Sequence, residues 1–263
     1  MRFRIALLVA AGAVALALVA QDAATTATAT SAPRGASAEK LAAELDANDA
    51  ALRDAIDAWR EGLDPPSSEP PVEVMDLSKN LQKAVRRLAR KQSLARNTLR
   101  RLPSKMASGL RKLVAAQRDL IKLSVGWPPH KIETGKPEPL ADLSKYYDEA
   151  HQRYGIHQHY LAAIHFVESK FGRVKNDSVA GAQGPMQFIP STWDIYGEGD
   201  IQDDHDAILA AARLLKDNGA PGDWERALRA YNNSPLYVDA VQRYARQIKG
   251  DRHALYFFYC FGP

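Results

Sequence analysis

Apolar residues along most of this chain recur every three or four positions, and nowhere does a convincing run of apolar–polar alternation replace that rhythm. Such spacing builds helices and excludes sheets. Leu41, Leu45, Leu52, Ile56, Trp59 and Leu63 fall at intervals of four, seven, four, three and four, which places them on one helix face. Asp64–Pro71 (DPPSSEPP) ends that stripe, because proline cannot continue a helix. A second stripe runs through Leu77, Leu81, Val85, Leu88, Ala95, Leu99 and Leu102. Pro103 interrupts it, and Met106, Leu110, Leu113, Val114, Leu120 and Ile121 make a third. Three stripes joined by short breaks predict a small antiparallel bundle or hairpin over 38–124.

Residues 125–139 hold four prolines and two glycines and mark the best domain boundary. Beyond them the pattern predicts helices over Asp142–Arg153 and over His157–Lys170, the latter closed near Gly172. Another starts at Ser191 or Thr192 after Pro190, and one runs from Asp204 to Asn218. Asp223 caps a helix through Tyr231, and Leu236–Lys249 forms the last. The expectation is an all-α chain with its second domain at 140–250 and a C-terminal tail at 251–263.

The net charge of +4 hides a strong asymmetry. Between Leu77 and Arg118 stand 13 Lys or Arg and no Asp or Glu, leaving 22 basic against 31 acidic residues elsewhere. A solvated helix face is the plain reading of such a run. The sharper reading is contact with an anionic wall polymer or a membrane surface. Nucleic acid would suit the charge, but the N-terminus argues against it. Arg2 and Arg4 precede 16 apolar residues from Ile5 to Ala20, which reads as an export signal, with a retained anchor as the alternative. No cysteine follows the apolar run, so lipid anchoring is not expected. Residues 21–37, rich in Ala, Thr and Ser, read as a flexible tether. The single cysteine, Cys260, excludes an internal disulfide, and the fold must rest on its core.

One carboxylate stands out. Leu161, Ile164 and Glu168 share a helix face, and a carboxylate on an apolar face is costly unless neutral or paired. Glu168 also lies in the last helical turn, where the helix dipole disfavours negative charge. Both effects raise its pKa, as a general acid requires. A solvent-exposed glutamate, or one paired with Lys170 or Arg173, accounts for the helix pattern equally well. The loop that follows tilts the balance. Gly181, Gly184 and Pro185 allow tight turns beside a ligand, Ser178 and Gln187 offer neutral hydrogen-bonding groups, and Trp193, Tyr196, Tyr231 and Tyr237 offer flat rings, which core packing explains as well.

Val-Glu168-Ser169, then Ser178-Val-Ala-Gly181-Ala-Gln-Gly184-Pro-Met186-Gln187-Phe, then Ala230-Tyr231-Asn232, resembles the lytic transglycosylases of bacterial cell walls. The strings Pro-Met-Gln-Phe-Ile-Pro-Ser-Thr-Trp and Tyr-Asn-Asn-Ser-Pro-Leu-Tyr-Val look closest to their membrane-bound type B branch and its actinobacterial relatives. The resemblance spans about Leu140 to Ile248 and leaves the N-terminal helices unexplained. It implies a lysozyme-like helical domain that cleaves the bond between N-acetylmuramic acid and N-acetylglucosamine without water. In that reading Glu168 is the single acid/base, and Ser178 contacts the muramyl residue. Met186 and Gln187 line the groove, and Tyr231 and Asn232 stand near the glutamate. Pro185 departs from the leucine common in the soluble branch.

Asp200, Asp203 and Asp204 occupy the place of a cation loop in some relatives, but they lack the twelve-position ligand spacing of an EF-hand. A solvated loop is expected, with no metal or cofactor. The remaining expectations are an extracytoplasmic monomer acting on peptidoglycan strands. Two rivals stand beside this reading. One is a goose-type muramidase using Asp177 or Asp194 as second carboxylate, and the other is a non-catalytic wall-binding protein.

Overall fold

The computed structural model describes residues 34–62, 69–127 and 131–263. The expected export signal at 1–20 and the tether up to residue 33 lie outside the described residues. So do parts of the two proline-rich breaks. Among the described residues the chain is all-α, with eleven helices and only two isolated bridges, Thr134 with Val174 and Gln183 with Phe188. None of these helices is long and apolar enough to cross a membrane.

The first three stripes become four helices: α1 (Arg34–Glu61), α2 (Val72–Arg90), α3 (Gln92–Leu99) and α4 (Ser104–Leu123). The helix α1 thus begins within the segment expected to be tether. The second stripe is split at Lys91, whose extended backbone (φ −121°, ψ 86°) closes α2 and opens α3. No glycine or proline marks the break. Packing imposes it, since α2 lies against α1 and α4 while α3 turns back onto α1.

The second half comprises α5 (Leu140–Tyr154), α6 (Gln158–Ser169), α7 (Pro190–Tyr196), α8 (Asp204–Asp217), α9 (Trp224–Tyr231), α10 (Pro235–Gly250) and α11 (Ala254–Tyr259). Asp203 and Asp223 cap α8 and α9 by accepting from the backbone N–H groups of Asp206 and Arg226. Pro235 opens α10 at its first position, where its missing N–H costs nothing.

Buried apolar side chains from α1 through α11 form one continuous cluster. The helix α10 lies between α4 and α6, so residues 125–139 connect two parts that share a core. The terminal segment contributes Phe257, Phe258, Tyr259, Cys260 and Phe261, all buried. It was expected as a tail because an unbroken aromatic run shows no helical period. Polar ties reinforce the join. Arg53 on α1 grips Asp251 through both amino groups, at 3.1 and 2.9 Å, and Gln82 on α2 donates to the Gly262 carbonyl at 2.6 Å. Burial pushes the Cys260 thiol up to about 12, so it stays protonated inside this core.

Candidate active site

From Leu161 to Ser169, α6 is buried on every side. Glu168 therefore sits in the core with no exposed surface rather than on an apolar stripe facing a groove. Its Oε1 accepts a 2.6 Å hydrogen bond from the Tyr237 hydroxyl, while Oε2 has no partner among the described residues. Burial raises its pKa to about 8, against the opposing pull of the Tyr237 bond and of the nearby Lys170 charge. Neither cation weighed as an ion-pair partner takes that role. Lys170 is itself buried, donates to the Phe166 carbonyl at 3.0 Å and lies 4.2 Å over the Phe166 ring. Arg173 donates to the Lys170 carbonyl and stacks over Tyr259.

Beyond Ser169 the backbone runs left-handed through three successive residues, Lys170 (φ 56°), Phe171 (φ 61°) and Gly172 (φ 73°). Only glycine adopts this region freely, so the turn must be held by its surroundings. The Ser169 hydroxyl donates to the Pro185 carbonyl at 2.5 Å and accepts from the Gly172 amide at 2.7 Å. The Phe171 ring is fully buried against His165, Phe166 and Tyr259. A Cβ on Gly172 would lie 3.0 Å from the Asp204 carboxylate. That carboxylate reaches to 3.0 Å from His165 Nε2, and His165 Nδ1 meets the Tyr147 hydroxyl at 2.9 Å. Buried polar groups thus pack against the turn that ends the glutamate's helix, although His165 Nε2 and Asp204 Oδ1 make no hydrogen bond among the described residues.

The loop between α6 and α7 folds on itself. The Ser178 hydroxyl accepts from the Ala182 amide at 2.8 Å, and Gln183 and Phe188 exchange backbone bonds of 2.8 and 2.9 Å. Gly184 (φ 73°) is obligatory here, because a Cβ would stand 1.9 Å from the Ile201 carbonyl oxygen. Gln187, also left-handed (φ 52°), donates to the Gly184 carbonyl at 2.8 Å and leaves its buried Oε1 without a partner among the described residues. The Met186 carbonyl accepts from the Tyr231 hydroxyl at 2.6 Å, and the Tyr231 and Tyr237 rings lie parallel, 6.4 Å apart.

Glu168, Met186 and Tyr231 are thereby joined through Tyr237. Asn232 is buried at the end of α9 beside Tyr231, and Ser178 and Gln187 shape the adjacent loop. Two contributors were missed as polar groups. Tyr237 was read only as a flat ring, and Ser169 only as part of a motif, although both lie in the quoted strings. Tyr231 and Tyr237 are buried, so their hydroxyls are engaged and their faces are not open platforms. Trp193 packs edge-on against Phe188, and the Tyr196 hydroxyl donates to Asp217.

The acidic loop also differs from expectation. Asp204 turns inward to His165, while Asp203, His205 and Asp206 bring ligand atoms within 4.8 Å of one another. Those groups are already engaged. Asp203 caps α8, Asp206 accepts from the Asp200 amide, and His205 bonds Glu149 at 2.8 Å.

Residues 145–253 match the Transglycosylase SLT domain family. This stretch is an SLT domain. The match runs from the first half of α5 to the start of α11 and takes in every candidate site residue. Among curated proteins, a membrane-bound lytic murein transglycosylase F of Thiobacillus denitrificans is 33% identical over 124 residues, covering 44% of this chain. The chain spans only 26% of that relative's length. No solved structure matches the chain. The SLT domain accounts for Glu168 and its surroundings, while α1–α4 lie outside the matched stretch.

Proposed function

We propose that the SLT domain is a peptidoglycan lytic transglycosylase with Glu168 as its acid and base. The observation that carries this is a fully buried carboxyl, its pKa raised to about 8, with one oxygen tied to Tyr237 and the other unpartnered. Such a group holds its proton near neutral pH, as a general acid must. Protonated at Oε2, Glu168 gives its proton to the glycosidic oxygen between N-acetylmuramic acid and N-acetylglucosamine as the C1–O bond breaks. The N-acetyl group stabilises the cation at C1. Glu168, now a carboxylate steadied by the Tyr237 hydroxyl, takes the proton of the C6 hydroxyl, whose oxygen closes onto C1. The product is a 1,6-anhydromuramyl end, no water is consumed, and Glu168 regains its proton.

Glu168 is fully covered in this conformation. That keeps the carboxyl dry, and the proposed reaction requires a conformation in which a glycan strand reaches Oε2. Ser178, Met186, Gln187, Tyr231 and Asn232 are the proposed substrate contacts. The acceptor on Gln187 Oε1, unpartnered among the described residues, suits the N–H of an acetamido group, and the Tyr231 hydroxyl fixes the Met186 backbone beside it.

A hydrolytic muramidase would ordinarily use a second carboxylate beside the acid. Asp177 and Asp194 are both exposed, and Asp177 accepts from Gln183 at 3.2 Å, which favours the single-carboxylate route. No cofactor is needed. The proposed substrate class and the apolar N-terminal run support action outside the cytoplasm, in keeping with a relative described as membrane-bound. Glu168→Gln tests the assignment through clearance of purified cell walls. The expected loss is on the order of a hundredfold or more, and unchanged clearance would remove Glu168 from the mechanism.

A further inference from the structure

The cations of α2–α4 lie outside the stretch that matches the SLT family. Lys83, Lys91, Arg96, Arg100, Lys105, Arg111 and Lys112 are exposed and form no ion pair among the described residues. Elsewhere Arg53, Arg153, Arg229 and Arg243 each hold a carboxylate.

One of the exposed cations, Lys83, borders a cleft of about 680 Å³ between α1 and α2. Leu41, Leu45, Ala47, Leu77 and Ala84 give the apolar part of its lining, Asn48 and Asn80 a neutral polar part, and Lys83 and Arg87 its cationic side. Glu44 also lines it and is balanced by Lys40 at 3.8 Å. Arg87 donates to the Ser37 hydroxyl at 3.3 Å, so the chain enters α1 beside these cations. The apolar run Ile5–Ala20 ends 13 residues before Arg34, a reach of at most roughly 45 Å.

We propose that the α1–α2 cleft docks an anionic lipid surface, its cations meeting phosphate headgroups and its apolar lining the first methylenes. A hydrophilic polyanion would use the cations and leave the apolar lining without purpose. An apolar run joined to α1 by a segment of that length favours the same partner. This inference is independent of the catalytic reading.

Flotation of the full chain with phosphatidylcholine vesicles, with and without about 30 mol% phosphatidylglycerol, tests it. The anionic lipid should strengthen partition roughly tenfold at low salt, and high salt should abolish the gain. Lys83→Gln with Arg87→Gln should remove most of that gain. Arg111→Gln with Lys112→Gln, an equal charge loss on α4 outside the cleft, should retain it. Equal partition onto both vesicles, or equal loss in both variants, overturns the proposal. So does release of the protein by soluble poly(glycerol phosphate) at matched phosphate concentration, which would make a wall polymer the partner.

Discussion

Glu168 combines two demands that conflict elsewhere on a protein surface: it must be dry enough to stay protonated and close enough to a sugar oxygen to give that proton away. Its pKa of about 8 sets the alkaline limb of activity, so kcat/KM for soluble glycan strands should fall as pH rises through about 8. The same shift is a stability statement. The folded carboxyl keeps a proton that the unfolded one, near 4.5, releases, so Glu168 costs stability progressively as pH rises from about 4.5 to about 8. Glu168→Gln removes that cost, and thermal melts should show the variant gaining on the wild type with rising pH across this window. Tyr237→Phe deletes the bond that pulls the pKa down. It should move the alkaline limb upward and, with Oε1 left buried and unbonded, cost about 1–3 kcal/mol in denaturant melts. At this scale the sequence was informative about type but not about partner. A glutamate on an apolar helix face could be recognised. That a tyrosine 69 positions onward would supply its hydrogen bond depends on how α10 crosses α6, which no local pattern encodes.

Helices were legible where local chemistry decides and obscure where packing decides. Asp223 before α9 and Pro190 at the start of α7 announced themselves through capping and proline rules. The break at Lys91 did not, and neither did the left-handed run at Lys170 and Phe171, because residues other than glycine adopt it only under constraint from neighbours. The loop after α6 is a rigid piece of the site, and its glycine is a sensitive probe. Gly184→Ala places a methyl against the Ile201 carbonyl in a disfavoured backbone region. It should lower stability by about 1–3 kcal/mol and reduce glycan cleavage, as a loop displaced from Ser169 and Tyr231 would. Normal activity in that variant would show that the loop's geometry does not matter to the site.

Among the described residues, the striped N-terminal helices and the SLT domain share one apolar core. The sequence marked a boundary at 125–139 because prolines and glycines cluster there, yet composition says nothing of whether the flanking parts later meet through α4 and α10. Phe258 packs against Phe166, Tyr244, Phe257 and Phe261, on the terminal helix α11 that also touches α2. Phe258→Ala should cost about 3–5 kcal/mol and lower the melting of the entire chain in a single transition. Two transitions, with only one displaced, would show separate units. The account as a whole rests on a single carboxylate acting with the sugar's own hydroxyl. Mass spectrometry of peptidoglycan digested by the full chain tests this most directly. The predicted products end in 1,6-anhydro-N-acetylmuramic acid, one water lighter than hydrolysed ends. Reducing N-acetylmuramic acid ends as the primary product would contradict it.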